Sequence, residues 1–147
     1  MKRFSFRLNR VRDLRKWREH FAQRQFADAQ NNRQSANREL DEITTQIEDH
    51  IRIMEHNIQG GMSAGVALVS SNYSNNLRMD VKEKESELKK CDHEVENCRN
   101  ELIEKSREKQ VLDRLYERQL KEFIKEQNRI EQTIMDDDAA QRSHHKR

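Results

Sequence analysis

The chain contains no proline, and its only glycines, Gly60, Gly61 and Gly65, fall within six residues of one another. Proline and glycine are the strongest helix breakers, so interruptions to helix are confined to one place near the middle. The chain is 38% charged and 33% hydrophobic, well short of the roughly 45–50% apolar share of an ordinary globular domain. Basic and acidic residues nearly cancel, 29 against 27, whereas disorder usually accompanies high net charge and abundant proline. What these constraints leave is long helix, buried on one stripe and wet elsewhere. The expected fold class is all-α, a long antiparallel two-helix coiled-coil hairpin.

The second half carries the clearer period. Steps of seven from Val81 meet Leu88, Val95, Leu102, Lys109, Tyr116, Phe123 and Ile130, with only Lys109 charged. The companion series is Leu77, Lys84, Cys91, Cys98, Lys105, Leu112 and Gln119. Together they form a sustained coiled-coil seam, in which Lys84, Lys105 and Lys109 must lay their methylenes along the apolar stripe and carry the ammonium out to water. Off the stripe, acid-first pairs such as Glu85 with Lys89 and Glu101 with Lys105 mark a solvated face. In the first half, Leu40, Ile43, Ile47, Ile51, Met54 and Ile58 are spaced 3, 4, 4, 3, 4, a pattern that predicts local unwinding of a left-handed supercoil. Upstream, Ala22, Ala29 and Ala36 repeat at seven and predict a narrow seam.

No charged residue occurs from Asn57 to Leu77. This stretch holds the glycines and the run Ser70-Ser-Asn-Tyr-Ser-Asn-Asn76, whose side chains favour caps and turns, and a helix start is expected near Ser74 or Asn75. The organisation predicted is a first arm over 1–58, a bend over 59–75, a second arm over 76–136 and a disordered tail over 137–147. Arms of about 54 and 60 residues correspond to roughly 80 and 90 Å of helix, which favours a hairpin with both termini at one end.

Catalytic and ligand-binding signatures do not appear. Cys91 and Cys98 are seven residues apart, about 10.5 Å along a helix, too far for a disulfide that needs Cα atoms within roughly 7 Å. His93 lies off their line, and neither it nor the acids and His144-His145 of the tail supply a spaced ligand set, so no metal and no cofactor are expected. Neither a phosphate-binding glycine loop, a Gly-x-Ser-x-Gly elbow nor His-Glu-x-x-His is present. A thin hairpin also has no cleft to shift pKa values or exclude water, so the protein is expected not to be an enzyme. No run of about 18 apolar residues exists to span a membrane, and arginines interrupt any leader-like stretch at the start. A cytosolic protein is expected.

Function must then lie on surfaces. Up to Arg24 the chain has nine basic residues against two acidic ones, and it carries Phe4, Phe6, Trp17 and Phe21, with Phe26 just beyond. Aromatics beside arginine are frequent interface anchors. Further along, Glu39, Asp41, Glu42, Glu48, Asp49 and Glu55 make the first arm acidic. A basic helix followed by a coiled coil is also the layout of zipper-type DNA binders, but alanines and asparagines intervene and the net charge is only +2, so no nucleic-acid partner is expected. A homodimerising scaffold, paired through Ile103, Val111, Leu115, Leu120, Ile124 and Ile134, is the other alternative.

The opening Met1-Lys-Arg-Phe-Ser-Phe-Arg-Leu-Asn-Arg-Val-Arg-Asp-Leu-Arg resembles the start of the flagellar export protein FliJ family, which reads Phe-x-Phe-Arg-Leu-x-x-Val followed by Leu-Arg. The likeness extends to Phe26-Ala-Asp-Ala29, to Leu115-Tyr-Glu-Arg-Gln-Leu-Lys-Glu-Phe and to Glu131-Gln132 with Met135-Asp-Asp. The resemblance implies a non-enzymatic coiled-coil stalk of the type III export apparatus, cytoplasmic and peripheral at the inner membrane without direct membrane insertion. Its implied partners are the hexameric export ATPase ring, a membrane export-gate protein and export chaperones. The implied ATPase-binding residues are Phe4, Phe6, Arg7, Leu8, Val11, Leu14, Leu120, Phe123 and Ile124. The implied gate-binding residues are Leu40, Ile43, Gln46, His50, Asn76 and Leu77.

Overall fold

The computed structural model describes residues 2–145. Two helices account for nearly all of them, α1 (Asn9–Gln59, 51 residues) and α2 (Ala64–His145, 82 residues). They pack on each other as an all-α helical hairpin, and the described residues include no strand.

The bend is shorter than the uncharged stretch suggests. α1 closes where the Gly60 and Gly61 N–H groups donate to the carbonyls of His56 and Ile58, each at 3.3 Å. Gly61 then takes a φ of 84°, the left-handed region that only glycine enters without steric cost. Ser63 follows as the N-cap of α2: its Oγ accepts the Val66 N–H at 3.3 Å and its carbonyl accepts the Ala67 N–H at 3.0 Å. The turn therefore occupies 60–63 rather than 59–75, and α2 begins at Ala64 instead of near Ser74. Serine and asparagine lower helix propensity by only a few tenths of a kcal/mol each, too little to break a helix already nucleated at Ser63.

Two further boundaries differ from the sequence expectation. Residues 2–8 are not helical and form a strap leading into a turn ahead of α1. At the other end, α2 continues through Asp136-Asp-Asp138 to His145, where a disordered tail over 137–147 was expected; Lys146 and Arg147 lie outside the described residues. Neither glycine nor proline follows Gly65 to stop α2, and Ala139 and Ala140 favour helix.

Packing divides the chain into two units, Phe21–Leu102 and Met1–His20 with Ile103–Arg147. In the first, the α2 seam is the one its heptads predict, with Leu77 and Cys98 buried and Val81, Leu88, Cys91, Val95 and Leu102 half-buried. Facing them, Ala22, Ala29 and Ala36 are buried, as their narrow seven-residue repeat requires. The predicted unwinding near Ile51 does not occur. The burial runs Leu40, Ile43, Ile47, His50, Met54, an unbroken 3, 4, 3, 4 spacing, and leaves Ile51 and Ile58 exposed. A continuous heptad outweighs the greater hydrophobicity of Ile51, because a 51st residue in the seam would turn the following positions off the contact line.

In the second unit, the seam positions of α1 are Arg12, Arg15 and Glu19. They meet Asp113, Glu108 and Lys109 of α2 through ion pairs, and Arg12 also lies over the Tyr116 ring. From Asn128 to His145, α2 is exposed on every side.

Candidate interaction surfaces

The strap turns inward. Phe6 is only 7% exposed, and its ring meets Tyr116 edge-on, with centroids 5.3 Å apart at 88°. Phe4 contacts Tyr116 at 5.5 Å and 72°, and Phe123 at 5.5 Å and 50°. Such offset and edge-to-face pairs are the favourable aromatic arrangements. The Arg12 guanidinium carbon lies 4.2 Å from the centroid of the Tyr116 ring, in cation–π range. Arg12 Nε donates to Asp113 Oδ1 at 2.7 Å, and this hydrogen bond raises the arginine above its ordinary pKa. Arg15 pairs with Glu108 at 3.5 Å, and Lys109 pairs with Glu19 at 3.5 Å and Asp113 at 4.0 Å.

Four of the nine residues that the family resemblance implies for the ATPase contact are thereby engaged inside the molecule: Phe6 is buried, and Phe4, Leu120 and Phe123 are half-buried. The other five, Arg7, Leu8, Val11, Leu14 and Ile124, are exposed. Tyr116, the centre of the cluster, appears in the sequence only as a seam position. Its signal is the Phe-x-Phe spacing, since alternate residues of an extended segment share a face, but the ring they face cannot be found without the tertiary structure.

The gate residues are placed differently. Leu77 is buried at 5% exposure, Leu40, Ile43 and His50 are half-buried in the seam, and only Gln46 and Asn76 face outward. His50 Nε2 is 3.1 Å from the Ser70 carbonyl, and its ring meets Tyr73 at 4.8 Å and 71°. Around these residues, Ile51, Ile53, Ile58, Val66, Leu68, Val69 and Met79 are exposed.

Seam lysines reach carboxylates as expected of snorkelling cations. Lys84 Nζ lies 2.6 Å from Glu39 and 3.1 Å from Glu87, and these hydrogen bonds, Glu39 first, raise its pKa. Arg33 pairs with Asp92 at 2.6 Å. Both cysteines are free; burial, reinforced by Glu94 at 3.5 Å, pushes the Cys98 thiol up. Among the described residues, no cluster of three or more histidine, cysteine, aspartate or glutamate side chains could hold a metal ion, and no helix is long and apolar enough to cross a membrane.

Fold and surfaces together define a coiled-coil hairpin whose distinguishing chemistry is a basic, aromatic N-terminal segment packed on the second helix. The family described as "Flagellar FliJ protein" matches residues 4–147, and the chain belongs to the FliJ family. It is accordingly a coiled-coil protein associated with type III export, from a family of non-catalytic export-apparatus components. No curated protein sequence matches the chain. A solved structure of a putative YscO homolog from Chlamydia trachomatis is similar over 92% of each chain, at 19% identity and a TM-score of 0.48, a likeness too slight to add to the assignment.

Proposed function

We propose that the chain is a stalk linking the export ATPase ring to the membrane export gate at the cytoplasmic face of the inner membrane, and that it helps recycle empty export chaperones. The observation that carries the ATPase contact is the outward stripe Leu8, Val11 and Leu14, exposed beside Arg7 and Arg10. Val11 and Leu14, three apart in α1, share a face, Leu8 lies in the turn just ahead of them, and an apolar line edged by arginines suits a groove with acidic walls. The contact is therefore assigned to Arg7, Leu8, Val11, Leu14 and Ile124, while Phe4 and Phe6 hold the segment in place. For the gate, Gln46 and Asn76 supply the outward contacts. Leu40, Ile43, His50 and Leu77 support them from the seam.

Replacing Leu8, Val11 and Leu14 together by serine tests this. Helicity is expected to remain, and affinity for the purified export ATPase to fall at least tenfold, as when interface anchors are truncated. Unchanged affinity would remove the ATPase assignment from this face. A self-associating scaffold is the second reading, favoured by the exposure of Ile124, Ile130, Ile134 and Met135 on α2. Sedimentation at micromolar concentration decides it: a monomer eliminates the scaffold.

A further inference from the structure

The strap is the one described segment whose non-helical state lacks a local cause. Lys2-Arg-Phe-Ser-Phe-Arg-Leu8 contains neither glycine nor proline, and it directly precedes a helix of 51 residues. Adding residues to an existing helix incurs no new nucleation cost. Among the described residues, no backbone hydrogen bond joins the strap to α2. Its backbone bonds are local: the Phe6 carbonyl accepts the Asn9 N–H at 3.1 Å, and the Leu8 carbonyl accepts the Arg12 N–H at 2.9 Å. What keeps it from continuing α1 is the seating of Phe4 and Phe6 on Tyr116 and Phe123. Extended backbone puts both phenylalanines on one side, whereas a helix would place them about 200° apart and allow only one to face α2.

Helical continuation has a seat of its own. The seam period of α1, stepped back seven residues from Arg15, arrives at Leu8, which is exposed in the strapped form. Each form thus buries apolar side chains that the other exposes: rings in one, Leu8 in the other. Two packings balanced in this way form a bistable element.

We propose that residues 2–8 are a two-state strap. Closed, it covers the Tyr116–Phe123 face of α2; open, it adds about two turns to α1 and uncovers that face for a partner's apolar segment. The basic residues Lys2, Arg3 and Arg7 move with it, so an acidic partner surface favours opening by pairing with them. The docking role rests on the partner reading above, whereas the two-state strap does not. On opening, Val11 and Leu14 keep their outward contact while Leu8 passes from the surface to the seam.

The test is pulsed dipolar spectroscopy on the full chain, with spin labels at Ser5→Cys and Glu117→Cys, both exposed positions, and Cys91→Ser with Cys98→Ala to remove the native thiols. Two separations are expected. Phe4→Ala with Phe6→Ala should raise the ratio of the longer to the shorter by about tenfold or more, given the apolar area two rings lose. Leu8→Pro should leave only the shorter, because the residue before proline is driven out of helical geometry. A single short separation that the phenylalanine substitutions leave unchanged would overturn the strap. Adding the export ATPase to the labelled wild type separates the two claims: a shift to the longer separation supports docking, and none, with both populations present without partner, overturns docking alone.

Discussion

The seams of the two packing units follow the same seven-residue period, but on α1 they are filled by opposite chemistry. Within Phe21–Leu102, α1 contributes Ala22, Ala29, Ala36, Leu40, Ile43 and Ile47, and α2 contributes Leu77, Val81, Leu88 and Cys98. Within Met1–His20 and Ile103–Arg147, α1 contributes Arg12, Arg15 and Glu19, satisfied by Asp113, Glu108 and Lys109. Among the described residues, Glu19 is the one buried charged residue. The comparison teaches that the period decides which positions meet, and the residue type decides how strongly. Partly exposed ion pairs contribute about 0–1 kcal/mol each, so the charged seam is the more easily opened, and aromatic packing of the strap supplements it.

The comparison breaks most visibly at Leu77. Leu77→Ala is expected to cost about 2–3 kcal/mol, the lower part of the range for buried leucines, since a two-helix seam has solvent close by. Urea unfolding followed by circular dichroism measures it, and a loss below about 0.5 kcal/mol would contradict an apolar seam. Next comes Ala29→Leu, expected to destabilise by about 1–2 kcal/mol because the alanine stripe sets a close approach that a larger side chain forces apart. If this variant proves more stable instead, the seam has room the alanines do not reveal.

In the charged seam, a double-mutant cycle on Arg12→Met and Asp113→Leu should return a coupling of about 0.5–1 kcal/mol that shrinks in 0.5 M salt. A coupling above about 2 kcal/mol, insensitive to salt, would show the pair to be far better shielded than its exposure indicates. The smallest effect concerns Cys98. Burial raises its folded pKa above the ordinary thiol value, so the folded state holds the thiol proton more tightly. The resulting stability is fully present below the unfolded pKa and is lost as pH rises through the folded value. Thermal melts between pH 8 and 11 should therefore fall slightly less steeply in Cys98→Ala than in wild type. At pH 8, Cys91 should react with a disulfide reagent before Cys98, which burial keeps protonated.

Much of this architecture was legible beforehand, for reasons visible in particular residues. The α2 seam from Leu77 to Phe123 could be read because each step of seven but Gln119 meets an apolar residue or a lysine long enough to reach out of it. The bend was located by Gly61 but overextended, because absence of charge resembles absence of helix while only the glycine backbone and the Ser63 cap end one helix and start the next. On α1, hydrophobicity favoured Ile51 over His50, and only the facing helix shows that phase prevails. Among the candidate contact residues, the sequence has no means of sorting those that face outward, such as Leu8 and Asn76, from those that hold the hairpin together, such as Phe6 and Leu77.

By itself, then, the sequence determined the hairpin and the phase of its second helix. Both follow from short-range rules: where glycine permits a positive φ, and which residues share a face every seven positions. Tertiary structure alone decided the path of residues 2–8, the inward turn of Phe4 and Phe6, and the entry of His50 into the seam. Those outcomes depend on what stands opposite, Tyr116, Phe123 and Ser70, each far along the chain from the residue it receives.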